Sequence, residues 1–355
     1  KLTKMEKYWI LYDVGNSAFT LLVSTIIPIY FNALAGNAGI SEVDYLAYWG
    51  YAASISTVIV AILGPTMGTV ADTRNYKKPL FVFLMMIGVI GCAALSVPTS
   101  WIVFLVVFVI AKVGYNASLI FYDSMLVDVT TPERMDKVSS HGYAWGYIGS
   151  CIPFIISLVF VLMYESIGIT MNTAMMLAFL INAAWWVLMT LPLLKNYRQK
   201  NFAAPPEHPI KDSFIRLGHT LRDIKKEKKI FLYLLAFFFF IDGVYTIIEM
   251  ATAYGSALGL DTTGLLLALL VTQIVAFPCA LIFSRFSKRY ETTKLIKVCI
   301  AAYTLIALFA IQLDKQWEFW FLAVMVGMFQ GAIQALARSY FAKIIPAEKS
   351  GEYFG

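Results

Sequence analysis

Six charged side chains stand inside runs that are otherwise apolar: Asp13, Lys112, Asp123, Asp242, Glu249 and Arg338. Each has polar company at helical spacing. Asp13, Ser17, Thr20 and Ser24 share one face, with Asn16 beside it; Lys112, Asn116 and Asp123 follow i, i+4, i+11. Asp242, Thr246 and Glu249 share a face, with Tyr245 adjacent, and Gln330, Gln334 and Arg338 follow i, i+4, i+8. A charge at the centre of a bilayer costs about 2.5–3.5 kcal/mol on insertion scales. A hydrogen bond between membrane helices returns only about 0.6 kcal/mol. Such bonds account for Asn and Gln. They account poorly for Lys112 and Asp242, each about 11–13 residues, or about 16–20 Å, from the nearest edge of its run. The chemistry open to this set is to line a water-filled cavity, hold a polar solute and carry a coupling proton. Three members keep a second reading: Asp13 at the interface, Glu249 at the outer mouth, and Arg338 snorkelling to the cytoplasm.

Other chemistries find little support. The four cysteines (Cys92, Cys151, Cys279, Cys299) all fall in apolar runs without metal-ligand spacing, so no disulfide or metal is expected. His141, His208 and His219 form no H-E-x-x-H pair, and there is no G-x-S-x-G elbow or phosphate loop. No enzyme and no cofactor is expected. The net charge of +6 is explained by the loops described next, so it calls for no nucleic-acid partner.

Those polar residues must be positioned by helices in lipid. The chain is 59% hydrophobic and 14% charged, with a mean hydropathy of +0.71, too apolar for a soluble protein of 355 residues. The runs are about 20 residues long and do not alternate, which predicts helices rather than a barrel. Ten spans are expected: 9–34, 45–71, 79–97, 101–126, 138–164, 172–194, 230–252, 263–284, 294–312 and 318–343. The charged faces fall on spans one, four, seven and ten. With the N-terminus inside, Lys1, Lys4, Lys7, Arg74, Lys77, Lys78, Arg134, Lys137, the basic 195–229 segment, Arg285, Lys288, Arg289 and Lys349 are cytoplasmic, and the outer loops keep Lys315 alone. A bacterial cytoplasmic membrane fits, since no outer loop carries a glycosylation sequon.

The order of spans has internal repetition. Gly68-Thr-Val-Ala-Asp72, followed by Arg74, Lys77 and Lys78, has a worn copy in Ala280-Leu-Ile-Phe-Ser284, followed by Arg285, Lys288 and Arg289. Val113-Gly114 and Val326-Gly327 repeat at nearly the same offset. The division expected is a six-helix bundle over 1–194, a cytoplasmic linker over 195–229, and helices seven to ten over 230–355. The linker contains Pro205, Pro206 and Pro209, and Phe214, Leu217, Leu221 and Ile224 recur at helical spacing. That predicts an amphipathic helix on the membrane surface, with a solvated basic tether as the alternative. Gly64 and Gly68, and Gly142, Gly146 and Gly149, give faces for close helix contact.

The Gly68–Lys78 loop resembles the signature between the second and third helices of the major facilitator superfamily; Gly68, Asp72, Lys77 and Lys78 match, and Asn75 replaces the second glycine. Within that superfamily the chain resembles the vacuole-effluxer-like branch, which includes fungal autophagy-related amino-acid effluxers. The resemblance rests on Tyr12-Asp13-Val-Gly15-Asn16-Ser17, Phe121-Tyr122-Asp123, Gly142-Tyr-Ala-Trp-Gly146-Tyr-Ile-Gly149, Asp242-Gly243-Val244, Gln330-Gly331-Ala-Ile-Gln334, Arg338-Ser339-Tyr340-Phe341 and Tyr353-Phe354-Gly355. It implies an all-α membrane protein of two six-helix bundles with a central cavity, working by alternating access. Ten helices are then present and the last two missing. It also implies that Asp72 contacts the other bundle near helix eleven, a partner expected to lie beyond this chain.

The function expected is secondary transport of a small polar solute by a monomer in the lipid bilayer, with amino-acid efflux and proton coupling as its finer expectations. Alternatives are an exporter of amphipathic or drug-like molecules, and a membrane sensor or scaffold that transports nothing. A channel fits less well, because the polar faces are unlike one another.

Overall fold

The computed structural model describes residues 1–204 and 209–355. Pro205, Pro206 and His208 of the linker lie outside the described residues. Helices account for nearly all of the rest. In chain order they are α1 (Lys4–Ser24), α2 (Ile26–Asn37), α3 (Glu42–Ala71), α4 (Lys77–Ala94), α5 (Trp101–Ser124), α6 (Leu126–Val129), α7 (Met135–Ile167), α8 (Met171–Asn196), α9 (Pro209–Ile224), α10 (Lys228–Ala257), α11 (Thr262–Phe286), α12 (Thr292–Ala310), α13 (Gln316–Ile344) and α14 (Ser350–Phe354). Among the described residues ten stretches are long and apolar enough to cross a membrane. Several run past the expected spans by a turn, since a helix continues into the interface as long as its ends are capped. Thr3 and Glu6 form a reciprocal capping box before α1, and Asp261 accepts the Gly264 N–H before α11.

The first expected span is two helices. Pro28 has no N–H to give to the carbonyl of Ser24, and the chain breaks at Thr25 (φ −131°, ψ −85°). The freed Ser24 carbonyl accepts the hydroxyl of Thr252 on α10 instead. Three helices are followed by a glycine with positive φ, α2 by Gly39 at 77°, α7 by Gly168 at 81° and α10 by Gly259 at 74°, where a side chain would be strained.

Two groups of helices result. In the first, α1 packs on α7 and α8, and α5 packs on α3 and α4, around an aromatic core that includes Trp9, Tyr12, Phe19, Trp49, Phe108, Tyr122 and Trp186. In the second, α11 and α12 pack on α13, around Val244, Leu265, Tyr303, Phe319 and Ile333. The groups meet where α7 lies against α11 and α13, and where α3 lies against α14. The α10 span is 11% buried and the α1–α2 span 72%. A polar side chain at equal depth therefore meets neighbours on the first span and few on α10. The linker helix α9 lies along α3, with Leu217, Thr220 and Ile224 turned inward and Phe214 and Leu221 exposed.

Candidate functional site

All basic loops of the sequence, the N-terminus and α9 share one end of the molecule, here the basic end. There the two groups are joined by three polar clusters.

The central cluster surrounds Arg338 on α13. Its Nη2 donates to Asp13 Oδ2 on α1 (2.9 Å) and to the Ser139 carbonyl on α7 (3.1 Å). Nη1 donates to Asp123 Oδ1 on α5 (3.0 Å), and Nε donates to Ser139 Oγ (2.9 Å). The guanidinium carbon lies 4.2 Å from the ring centre of Tyr143, 4.5 Å from Trp9 and 5.5 Å from Tyr122. Side-chain exposure is 4% for Arg338, 5% for Asp13 and 24% for Asp123. Arg338 is thus a buried pin between the groups, which corrects the snorkelling alternative: two acids, each accepting one charge-assisted bond, and the rings hold it better than the interface would. Gly142 makes room, for a Cβ there would run into the Asp13 carboxylate. One helical turn higher, Tyr147 donates to Gln334 Oε1 at 2.5 Å. Asn16 Nδ2 donates to the Tyr12 carbonyl (3.0 Å).

The second cluster contains the signature loop. Asp72 Oδ1 accepts the Gly351 N–H (2.7 Å) and Oδ2 accepts that of Glu352 (2.8 Å), so a carboxylate of one group caps the first turn of α14 in the other. The partner expected beyond the chain is therefore present in it. Lys77 is wholly buried, 3.8 Å from both Asp72 and Asp128, and donates to Ser350 Oγ (2.8 Å). Asp128 also accepts from Tyr197 OH (2.5 Å) and the Asn201 N–H (2.8 Å). From α9, Arg216 reaches the Thr69 carbonyl and stands 3.4 Å from Glu352. The backbones touch: a Cβ on Gly68 would collide with the Gly351 carbonyl, and one on Gly64 would lie 2.7 Å from that of Gly355. Asn75 has φ 67°, so the position where the signature has glycine still needs the left-handed region, which Asn tolerates best of the other residues. Lys78 is half-buried and has no ion pair among the described residues.

Burial pushes the Asp72 carboxyl up from 3.8 to about 6, against the pull of Lys77 and the two N–H donors. An acid whose value is raised in the closed seam binds a proton on closing. Closure is therefore favoured below about pH 4 and loses that advantage as pH rises through about 6. Asp72→Asn is expected to flatten this dependence between about pH 4 and 6, read as the distance between spin labels at Arg74 and Glu348, both exposed. An unchanged profile would assign the dependence to another group.

The third cluster was not foreseen. Asp136 at the start of α7 accepts from Ser339 Oγ (2.5 Å) and Thr292 Oγ1 (3.0 Å), and Lys343 Nζ lies 2.6 Å away. In a sequence, Asp136 is an ordinary acid in the first turn of a helix, and only the Ser339–Lys343 spacing of i, i+4 hints at a partner.

Towards the opposite end, Lys112 on α5 and Glu249 on α10 form an ion pair, giving Lys112 the counter-charge its depth requires. A cavity of about 430 Å³ lies between the groups there, walled by Leu21, Ser24, Met250, Thr272, Gln273 and Gln330 among others. Of the expected cavity residues only Gln330 lines it. Asp13, Asp123, Lys112, Glu249, Gln334 and Arg338 are engaged in contacts between helices, and Asn116 is half-buried. Asp242 is exposed, with no ion pair among the described residues. Among the described residues no group of His, Cys, Asp and Glu could hold a metal.

Residues 3–355 match the family described as vacuole effluxer Atg22 like. The chain is 41% identical to an uncharacterized MFS-type transporter, YxiO, of Bacillus subtilis, over all of this chain and 84% of that one. It is 22% identical to autophagy-related protein 22 of Coccidioides immitis, over 86% of this chain and 63% of the relative, so it spans less than two thirds of that protein. Among solved structures, the human organic anion transporter MFSD10 (TETRAN) superposes with a TM-score of 0.68, at 11% identity, over all of this chain and 89% of that one. That likeness concerns the fold.

Proposed function

The chain belongs to the Atg22-like vacuole effluxer family of MFS-type transporters, and from that premise we propose that it moves amino acids out of the cytoplasm by alternating access, coupled to protons. It is an integral, multi-pass membrane protein and a transporter rather than an enzyme. The positive-inside rule supports a cytoplasmic basic end, so the conformation described is closed towards the cytoplasm.

One observation carries the reading. A single guanidinium, that of Arg338, faces two carboxylates from the other group, Asp13 and Asp123. One negative charge is left over in a seam that must open and close. A proton on either acid neutralises it, which ties the charge state of the seam to its conformation. The paired and unpaired charges also suit a zwitterionic solute.

The test is flux into proteoliposomes containing the full-length protein, with an amino-acid panel and an imposed pH gradient. The gradient is expected to drive net flux, and Asp123→Asn, which removes the odd charge, is expected to abolish the response to the gradient. Flux indifferent to pH in the unaltered protein would remove the coupling. The apolar walls of the 430 Å³ cavity favour a second reading, export of amphipathic molecules. Movement of an amphipathic dye, with no amino acid of the panel moved, would select it.

A further inference from the structure

The site of the Arg338 guanidinium is a box made by the other group of helices. Its walls are the Asp13 and Asp123 carboxylates, the Ser139 carbonyl and hydroxyl, and the rings of Trp9, Tyr122 and Tyr143. Two of the walls hold each other without Arg338. Trp9 Nε1 donates to the Tyr122 carbonyl (3.0 Å), Tyr122 OH donates to the Trp9 carbonyl (2.9 Å), and the two rings stack at 4.5 Å. All the walls stand on α1, α5 and α7, whereas Arg338 belongs to α13, so a seam opening at the basic end separates Arg338 from the walls. The box then holds two carboxylates and three aromatic faces. The neighbouring cations among the described residues are committed elsewhere: Lys112 to Glu249, Lys77 to Asp72 and Asp128, Lys343 to Asp136.

Resting on the transport reading above, we propose that this box is the binding site for the cationic end of the solute when the basic end is open. Arg338 is its built-in stand-in when that end is closed. The ligand class is an organic cation with a guanidinium or primary ammonium head, such as a basic amino acid. A planar guanidinium fits best, because the box already seats one: in-plane donors reach two separate carboxylates while the rings cover its faces. Solute and Arg338 exclude each other. The cation therefore holds the seam open at the basic end, and Arg338 displaces it as the seam closes, which makes the exchange part of the transport cycle.

The direct test uses the full chain in nanodiscs with Arg338→Ala, which empties the box, and two probes of one shape: methylguanidinium and neutral N-methylurea. Methylguanidinium is expected to bind the variant at least about tenfold more tightly than N-methylurea, and more tightly than it binds the unaltered protein. Adding Asp123→Asn should weaken that binding. Equal binding of the two probes, or binding unaffected by Asp123→Asn, overturns the box. If Arg338→Ala fails to fold, the unaltered protein in proteoliposomes decides, by flux of arginine against citrulline, its neutral isostere. A preference of at least about tenfold for arginine is expected. Equal flux of both overturns the box and leaves amino-acid transport standing. Absence of any amino-acid flux together with selective methylguanidinium binding would keep the box and overturn the transport reading. Occupancy by sodium or by protons alone, with no guanidinium preference, also counts against it.

Discussion

Arg338→Gln is expected to unlatch the basic end and to reduce transport roughly a hundredfold. Removing one partner of a buried ion pair costs about 3–5 kcal/mol, because the other is left charged and unpaired. Here two carboxylates lose their cation at once, Asp13 at 5% exposure and Asp123 at 24%. The partial exposure of Asp123 argues for the lower figure. About 3 kcal/mol shifts the closed-to-open ratio about a hundredfold. Glutamine keeps a donor for Ser139 but has no charge for the acids and no guanidinium face for the rings. The expected reading is a longer, broader distance between labels at Arg74 and Glu348. Acidification should partly restore the short distance, since protonated acids need no cation. A short distance at neutral pH in Arg338→Gln would mean that the other two clusters suffice to close the seam.

Gly68→Val should produce a comparable loss by a different route. The added side chain would meet the backbone carbonyl of Gly351, and a backbone cannot swing aside as a rotamer can. Overpacking of this kind costs about 1–3 kcal/mol or more. Here relief requires the groups to part. Parting takes the Gly351 and Glu352 N–H groups away from Asp72, and Ser350 away from Lys77. The expected result is a seam open at the basic end in most molecules and transport reduced at least about tenfold. The melting temperature should change little, because Gly68 faces the other group rather than the core of its own. A large fall in melting temperature with an unchanged label distance would instead place Gly68 among residues that hold one group together.

The ten spans were legible because hydropathy and length are properties of a segment alone. The break at Thr25 follows from Pro28 once the span is read residue by residue. The pairing of charges was less legible. Depth along a helix can be counted, so Lys112 and Asp242 both read as buried. Packing density around a helix cannot, and it separates them: Lys112 on α5 meets Glu249, whereas Asp242, on the same face of α10 as Glu249, stands where that sparsely packed helix has few neighbours. For Arg338 the sequence leaves two readings, cavity lining and a reach to water, because a long side chain near a helix end can snorkel. Its partners lie far away in sequence, on α1, α5 and α7. The contact of Gly64 and Gly68 with Gly351 and Gly355 was hidden for the same reason. Each pair has small-residue spacing, but nothing in one sequence says which two such faces meet. Asp136 carried no signal beyond being an acid at a helix start.

The three clusters at the basic end share one property. Among the described residues, every carboxylate that joins the groups by accepting across α7–α13, α1–α13, α5–α13 or α3–α14 belongs to the first: Asp13, Asp72, Asp123 and Asp136. Arg338, Ser339, Lys343 and the Gly351 and Glu352 N–H groups, all from the second, answer them. Along these contacts the two groups are thus keyed with opposite polarity. Two copies of the first half would bring acid against acid, and two of the second would bring cation against cation.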